Sequence, residues 1–146
     1  MNKPSQRIIA AIVGLIFLAA GVMKEMDPAG LAVDIQNYRL VPWTWGVLAA
    51  LYLPWLEMVC GLALLLRRGY RGALAITAAM LAVFLGAIAS TRPRGLDISC
   101  GCFGHGVHRG FWTELIGDAI LLAAVLWLLR ADFQRLSPVI TSEVKT

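Results

Sequence analysis

From Gly72 to Ser90 the chain carries no charged residue. A helix needs about 20 apolar residues to cross the hydrocarbon layer of a bilayer. Three further apolar runs of that order follow the same pattern: about 8–24, about 45–66 and about 111–129. Inside a bilayer every backbone amide must find a partner within the protein, so only helices or closed barrels cross. These runs are continuous, without the alternation of a barrel strand, and they predict helices. Composition agrees: of 146 residues 59% are hydrophobic and 15% charged, against about 25% charged in a soluble domain. The expectation is an all-α integral membrane four-helix bundle, one transmembrane domain over 1–146 with a polar tail from 130.

Lys3 and Arg7 ahead of an apolar stretch ending in "AAG" also resemble a cleaved secretion signal. With three more spans to follow, an uncleaved first helix is the reading adopted. Four spans place both termini on one side. That side holds Lys3, Arg7, Arg67, Arg68, Arg71, Arg130, Arg135 and Lys145, and the other holds Lys24, Arg39, Arg92, Arg94 and Arg109. Positive charge collects on the cytoplasmic side, so the expectation is both termini inside. The net charge of +4 is then a topology signal and asks for no nucleic acid. Trp43, Trp45 and Trp112 fall at the outer interface and Tyr70 at the inner one.

Between the first two spans, "DPAGLAVDIQNYRLVP" places Asp27 as the cap of a helix beginning at Pro28. Leu31, Ala32 and Ile35 give that short helix an apolar face for the outer membrane surface. The tight "RRGYRG" connection makes the second and third spans a hairpin. Small residues four apart suggest close packing: Ala10 and Gly14; Ala78, Ala82 and Gly86; Ala119 and Ala123.

The stretch "DISCGCFGHGVHRG" before the fourth run holds Cys100 and Cys102, one glycine apart. A disulfide across so short a ring is strained, and strained disulfides are readily reduced. Arg92, Arg94 and Arg109 lie near in sequence, and positive charge favours the attacking thiolate. On the outer, oxidising side this pair suits thiol–disulfide exchange. A fixed staple and a pair of resting thiols remain alternatives. Cys100, Cys102, His105 and His108 also supply four ligand types for a metal, but the long insert of a zinc site is missing and the preferred reading is no metal.

Ionisable groups inside the apolar runs are the remaining signal. Glu57 lies well inside the second run, Asp118 about two turns into the fourth, and Lys24 at the end of the first. Such residues face the bundle interior and pair with one another. They read as an intramembrane polar network, either a structural lock or a proton path with a quinone headgroup site. Cys60 lies one turn from Glu57, on the same face.

The pieces "GLIFLAAGVMKEMDP", "LPWLEMVCGLALLL" and "CGCFG", with their spacing, resemble the MauE family of methylamine-utilisation membrane proteins, within the wider DoxX-like group. The resemblance covers nearly the whole chain. It implies a four-helix membrane bundle and a role in disulfide formation or maturation of an exported protein, with a thioredoxin-like or other exported redox partner. In the namesake system the client is the disulfide-rich small subunit of methylamine dehydrogenase. Cys100 and Cys102 become the redox pair, and Lys24, Glu57 and Asp118 fall at the family's polar positions. DoxX relatives imply instead a non-catalytic subunit that anchors or assembles a larger quinone-linked membrane complex. A bacterial inner-membrane location follows, with the bilayer as a partner and quinone as the cofactor to consider.

Overall fold

The computed structural model describes residues 4–95 and 111–134. Among these residues all regular structure is helical. The five helices are α1 (Pro4–Glu25), α2 (Pro28–Asn37), α3 (Trp43–Leu66), α4 (Tyr70–Thr91) and α5 (Phe111–Phe133). Helices α1, α3 and α4 are each long and apolar enough to cross a membrane. Helix α5 has 23 residues, the same length class, and carries Asp118, Arg130 and Asp132.

The four long helices pack as a ring in the order α1, α3, α4, α5, with α5 closing back on α1. The most extensive contact is between α1 and α3, which are neighbours in space although α2 lies between them in sequence. Each helix buries a stripe at three- and four-residue spacing. On α1 it is Ala10, Val13, Gly14, Phe17, Gly21 and Lys24. On α3 it is Gly46, Ala50, Pro54, Glu57, Gly61 and Leu64, with Cys60 alongside. The main apolar core joins these stripes to Leu74 and Leu81 of α4 and to Val125 and Leu128 of α5. Outside the ring the helices present Ile12, Leu15, Val59, Val83 and Ile120. An apolar exterior is what hydrocarbon requires, and it is why hydropathy alone does not tell the inner face from the outer.

Close approach of α1 and α3 rests on three glycines. A Cβ on Gly61 would lie 2.6 Å from the Gly14 carbonyl oxygen and 2.8 Å from the Leu18 nitrogen. One on Gly21 would lie 2.7 Å from the Pro54 carbonyl oxygen. These are backbone contacts that no rotamer change relieves. The other small-residue rows do not pack in this way. Ala82, Gly86, Ala119 and Ala123 are exposed, and a Cβ on Gly86 would meet nothing within 4 Å. Four-residue spacing in a chain rich in alanine does not by itself mark an interface.

Helix α2 begins as expected, with Asp27 Oδ1 accepting from the Gly30 N–H at 2.9 Å and Pro28 in the first turn. It lies across the start of α3, where Leu31 and Ala32 pack with Ala50. It therefore caps one end of the bundle, and the apolar face of Leu31, Ala32 and Ile35 expected to lie on the membrane surface is instead packed against α3. The Arg94 guanidinium holds it there, donating to the Tyr38 carbonyl at 2.8 Å and to the Arg39 carbonyl at 3.2 Å. At the opposite end, Arg71 Nε donates to Asp132 Oδ2 at 2.5 Å and joins the start of α4 to the end of α5. Arg67 and Gly69 turn α3 into α4 with φ of 59° and 62°, the left-handed region where glycine costs least.

Gly61→Ala is expected to destabilise the purified protein in detergent by about 1–3 kcal/mol, the usual cost of overpacking. Gly72→Ala, where a Cβ meets nothing within 4 Å, should be neutral or gain up to about 1 kcal/mol from helix propensity. Thermal unfolding of the two variants side by side checks the contrast.

Candidate functional site

The capped end of the bundle gathers the charges that the apolar runs cannot expose. Lys24 is the last buried residue of α1, and its ammonium Nζ donates a hydrogen bond to Glu57 Oε1 of α3. Both side chains are almost fully buried, at 4% and 2% exposure, which makes this an internal ion pair. Lys24 also stands over the ring of Phe84 from α4, 4.9 Å from its centroid, a favourable place for a cation.

Asp118 of α5 completes the set. It lines a small cavity of about 30 Å³ together with Lys24, Glu57, Phe17, Phe84 and Leu121. It thus shares one cavity with both members of the ion pair. Glu57 Oε2 and Asp118 Oδ2 are buried without a hydrogen-bond partner in the protein. A buried carboxyl oxygen left this way is costly, and the cavity exceeds the ~10–15 Å³ that one water needs. One ammonium faces two carboxyls, so the set is neutral only when it holds one carboxyl proton. The four long helices thus each contribute a residue to one polar centre: Lys24, Glu57, Phe84 and Asp118.

A second and larger cavity, about 390 Å³, lies between α2, α3 and α4. Lys24 and Phe84 line it as well, so they form the partition between the two spaces. Its other polar residues include Asp34 of α2 and Tyr38 just after that helix, both buried. Leu40, Trp45 and Val83 also line it and are half or more exposed on the bundle's side.

Lys24, Glu57 and Asp118 were legible as charges in apolar runs, and they meet at one place. Phe84 carries no polar signal and was not anticipated. Asp34 had one: it is the acid of a short, otherwise apolar helix. Cys60 is a buried free thiol in the helix stripe beside Glu57. Cys100 and Cys102, and His105 and His108 with them, lie outside the described residues. The flanks of their segment are placed. Arg92 stacks on the ring of Trp112 at 4.9 Å from its centroid, joining the end of α4 to the start of α5. Arg94 holds the α2 carbonyls. Two of the three arginines expected to favour a thiolate are therefore engaged in fixing helix ends.

Lys24→Met leaves Glu57 buried without its cation and should cost about 3–5 kcal/mol. Adding Glu57→Gln should restore most of the loss, since the pair is then removed together. Thermal unfolding of both single variants and the double variant measures this, and equal additive losses would show that the pair is not energetically joined.

Comparison with known proteins shows the family to which the chain belongs. The family described as "Methylamine utilisation protein MauE" matches residues 3–131. A MauE methylamine utilization protein of Methylophilus methylotrophus is 35% identical over 107 residues, covering 70% of this chain and 55% of that protein. One of Paracoccus denitrificans is 30% identical over 114 residues, covering 77% of this chain and 61% of that protein. The chain thus spans little more than half the length of the curated relatives it matches. No solved structure matches it. A match over residues 3–131 takes in α1 to α4, the segment between α4 and α5 and all but the last two residues of α5, and on that ground this chain belongs to the MauE family.

Proposed function

We propose that this chain is a membrane thiol–disulfide redox protein of methylamine utilisation, supporting disulfide formation or maturation of an exported protein through Cys100 and Cys102. One observation carries the reading: two cysteines separated by a single glycine, in a segment the family match covers, between two helices of a membrane bundle. The names of the relatives supply the pathway. The stacking of Arg92 on Trp112 supports it from the geometry, because it holds the two ends of that segment together.

In the exchange, a thiolate of an exported, thioredoxin-like partner attacks the Cys100–Cys102 disulfide and forms a mixed disulfide. The partner's second thiolate then displaces the sulfur of this chain. The partner leaves oxidised, and Cys100 and Cys102 leave as a dithiol holding two electrons and two protons. Return of the pair to the disulfide hands both to an acceptor in the membrane.

The reading needs the cysteine segment on the oxidising face. The excess of Lys and Arg at the opposite end favours this, with both termini in the cytoplasm. The α2 cap and the Arg92–Trp112 contact lie at the same end of the bundle, that of Lys24. A membrane-impermeant maleimide applied to intact spheroplasts after reduction should label Cys100 and Cys102 and leave buried Cys60 unlabelled. Labelling only after lysis would place the segment inside and remove the exchange reading.

Cys102→Ser or Cys100→Ser should accumulate a mixed disulfide with an exported protein, visible on non-reducing gels and abolished by dithiothreitol. The Cys100→Ser/Cys102→Ser variant should stop maturation of the client while the protein still inserts in the membrane. Normal client maturation in that variant would favour the other role, a non-catalytic subunit that anchors a larger complex.

A further inference from the structure

Tyrosine and tryptophan gather where a helix leaves the bilayer, because each joins an apolar ring to a group that needs a hydrogen bond. Trp43, Trp45, Tyr70 and Trp112 each lie within the first three residues of a helix. Tyr38 caps the end of α2, and Trp127 stands one turn before Arg130. Two residues break the pattern. Tyr52 and Trp55 are the tenth and thirteenth of the 24 residues of α3, on either side of its midpoint. Both face outward, 71% and 58% exposed, and neither has a hydrogen-bond partner among the described residues. At a rise of about 1.5 Å per residue their Cα atoms lie within about 4 Å of the helix centre. Hydrocarbon extends about 15 Å to either side, and a side chain reaching about 6 Å from its helix axis does not leave it.

Lipid tails offer no acceptor, and a hydroxyl or indole N–H left without one in an apolar medium is costly. The other long helices avoid this. Their outward residues near the midpoint are Ile12 and Leu15 of α1, Val83 of α4 and Ile120 of α5, all aliphatic. Whatever covers α3 must bring hydrogen-bonding groups of its own.

A second copy of the chain brings the right ones. A phenol oxygen accepts as well as donates, whereas an indole N–H only donates. Two copies inserted in the same sense are related by a two-fold axis along the membrane normal, so α3 meets α3 with like residues at like depth. Tyr52 and Trp55 share one helix face, three residues and about 4.5 Å apart along the axis. Trp55 Nε1–H of each copy then donates to Tyr52 Oη of the other, and the bond forms twice. Shape agrees. Beside the two rings lies an open depression of about 430 Å³, lined also by Ala49, Leu53, Leu56 and Val59. One face thus carries a projection and a hollow together, as a self-complementary contact requires. Leu48, Tyr52, Trp55, Val59 and Leu62 follow at intervals of four and three, the seam of two nearly parallel helices. That spacing is common to outward helix faces; the mid-span hydrogen-bonding groups set this one apart. The one charged residue of α3, Glu57, is buried on the opposite side, so no like charges oppose the contact. A helix of another protein would have to place a donor and an acceptor at this depth, which the two-fold axis supplies without further requirement.

We infer that this chain pairs with a second copy of itself in the membrane, α3 against α3 about a two-fold axis, through reciprocal Trp55–Tyr52 hydrogen bonds. The cysteine pair takes no part in the contact, so pairing stands or falls apart from the exchange reading.

The test uses the full chain with one fluorophore on its N-terminus, in liposomes of phosphatidylethanolamine and phosphatidylglycerol, with dithiothreitol present to exclude disulfides between copies. Photobleaching steps are counted over a range of protein-to-lipid ratios. Two-step traces should rise above the chance level of co-capture along a monomer–dimer isotherm. Tyr52→Phe/Trp55→Phe keeps two rings and removes the O–H and the N–H. Loss of two interhelical hydrogen bonds per dimer should move the midpoint to about tenfold higher protein density. Tyr52→Phe alone, which removes a single oxygen, should move it in the same direction. Leu15→Ala, on the equally exposed face of α1, should leave it in place. These residues point out of the bundle, so thermal unfolding in detergent should match the unmodified chain in every variant, which separates loss of pairing from loss of fold. A midpoint unmoved by both Tyr52 variants would overturn the inference. So would a monomer at every ratio, which leaves the face to lipid or to a helix of another protein.

Discussion

The buried pair of Lys24 and Glu57 is the constraint around which the rest of the bundle is arranged. Two charges out of water cost several kcal/mol each, and their mutual attraction repays this only with close geometry and shielding. The protein meets both conditions with ordinary means. Three glycines let α1 and α3 approach until backbone touches backbone. Phe84 covers the ammonium from α4, and α2 crosses the same end of the ring. Remove any of these and the ions face lipid or stand too far apart.

That arrangement sets the ion pair between two cavities. The ammonium serves the fold by neutralising Glu57, and it also forms the wall of a cavity open to the side of the bundle. Here a small cavity large enough for a water, into which Glu57 and Asp118 reach, lies behind the pair and a larger apolar one in front. Just after α4, Arg94 holds the Tyr38 and Arg39 carbonyls that follow α2. The ion pair, the two cavities it borders and the arginine contacts that fix the helix ends thus share one end of a small bundle.

Much of this was written plainly in the sequence. Apolar runs of membrane length gave the helices, and Asp27–Pro28 gave the start of α2. Charges inside those runs marked Lys24, Glu57 and Asp118, because hydrocarbon makes each of them expensive. What the sequence left open was which of the two carboxylates Lys24 takes. Lys24 and Glu57 are 33 residues apart, and no local spacing links them. Facing was equally hidden: a helix apolar all round shows no stripe, so the alanine row of α5 looked like an interface and is exposed. Phe84 was invisible for the same reason, as one apolar residue among many. The large cavity depends on how α2 lies over α3 and α4, a tertiary fact that periodicity does not carry.

The position of Lys24 also bears on the order in which the chain assembles. Lys24 sits at the end of its helix, where a long side chain can reach up to the headgroups and keep its charge wet. Glu57 sits mid-helix in α3 and has no such refuge. The lysine can therefore wait in the membrane alone, and the glutamate cannot. Since α1 is synthesised first, α3 enters a bilayer in which its counter-ion already stands ready, and insertion of the second long helix becomes a docking event onto the first.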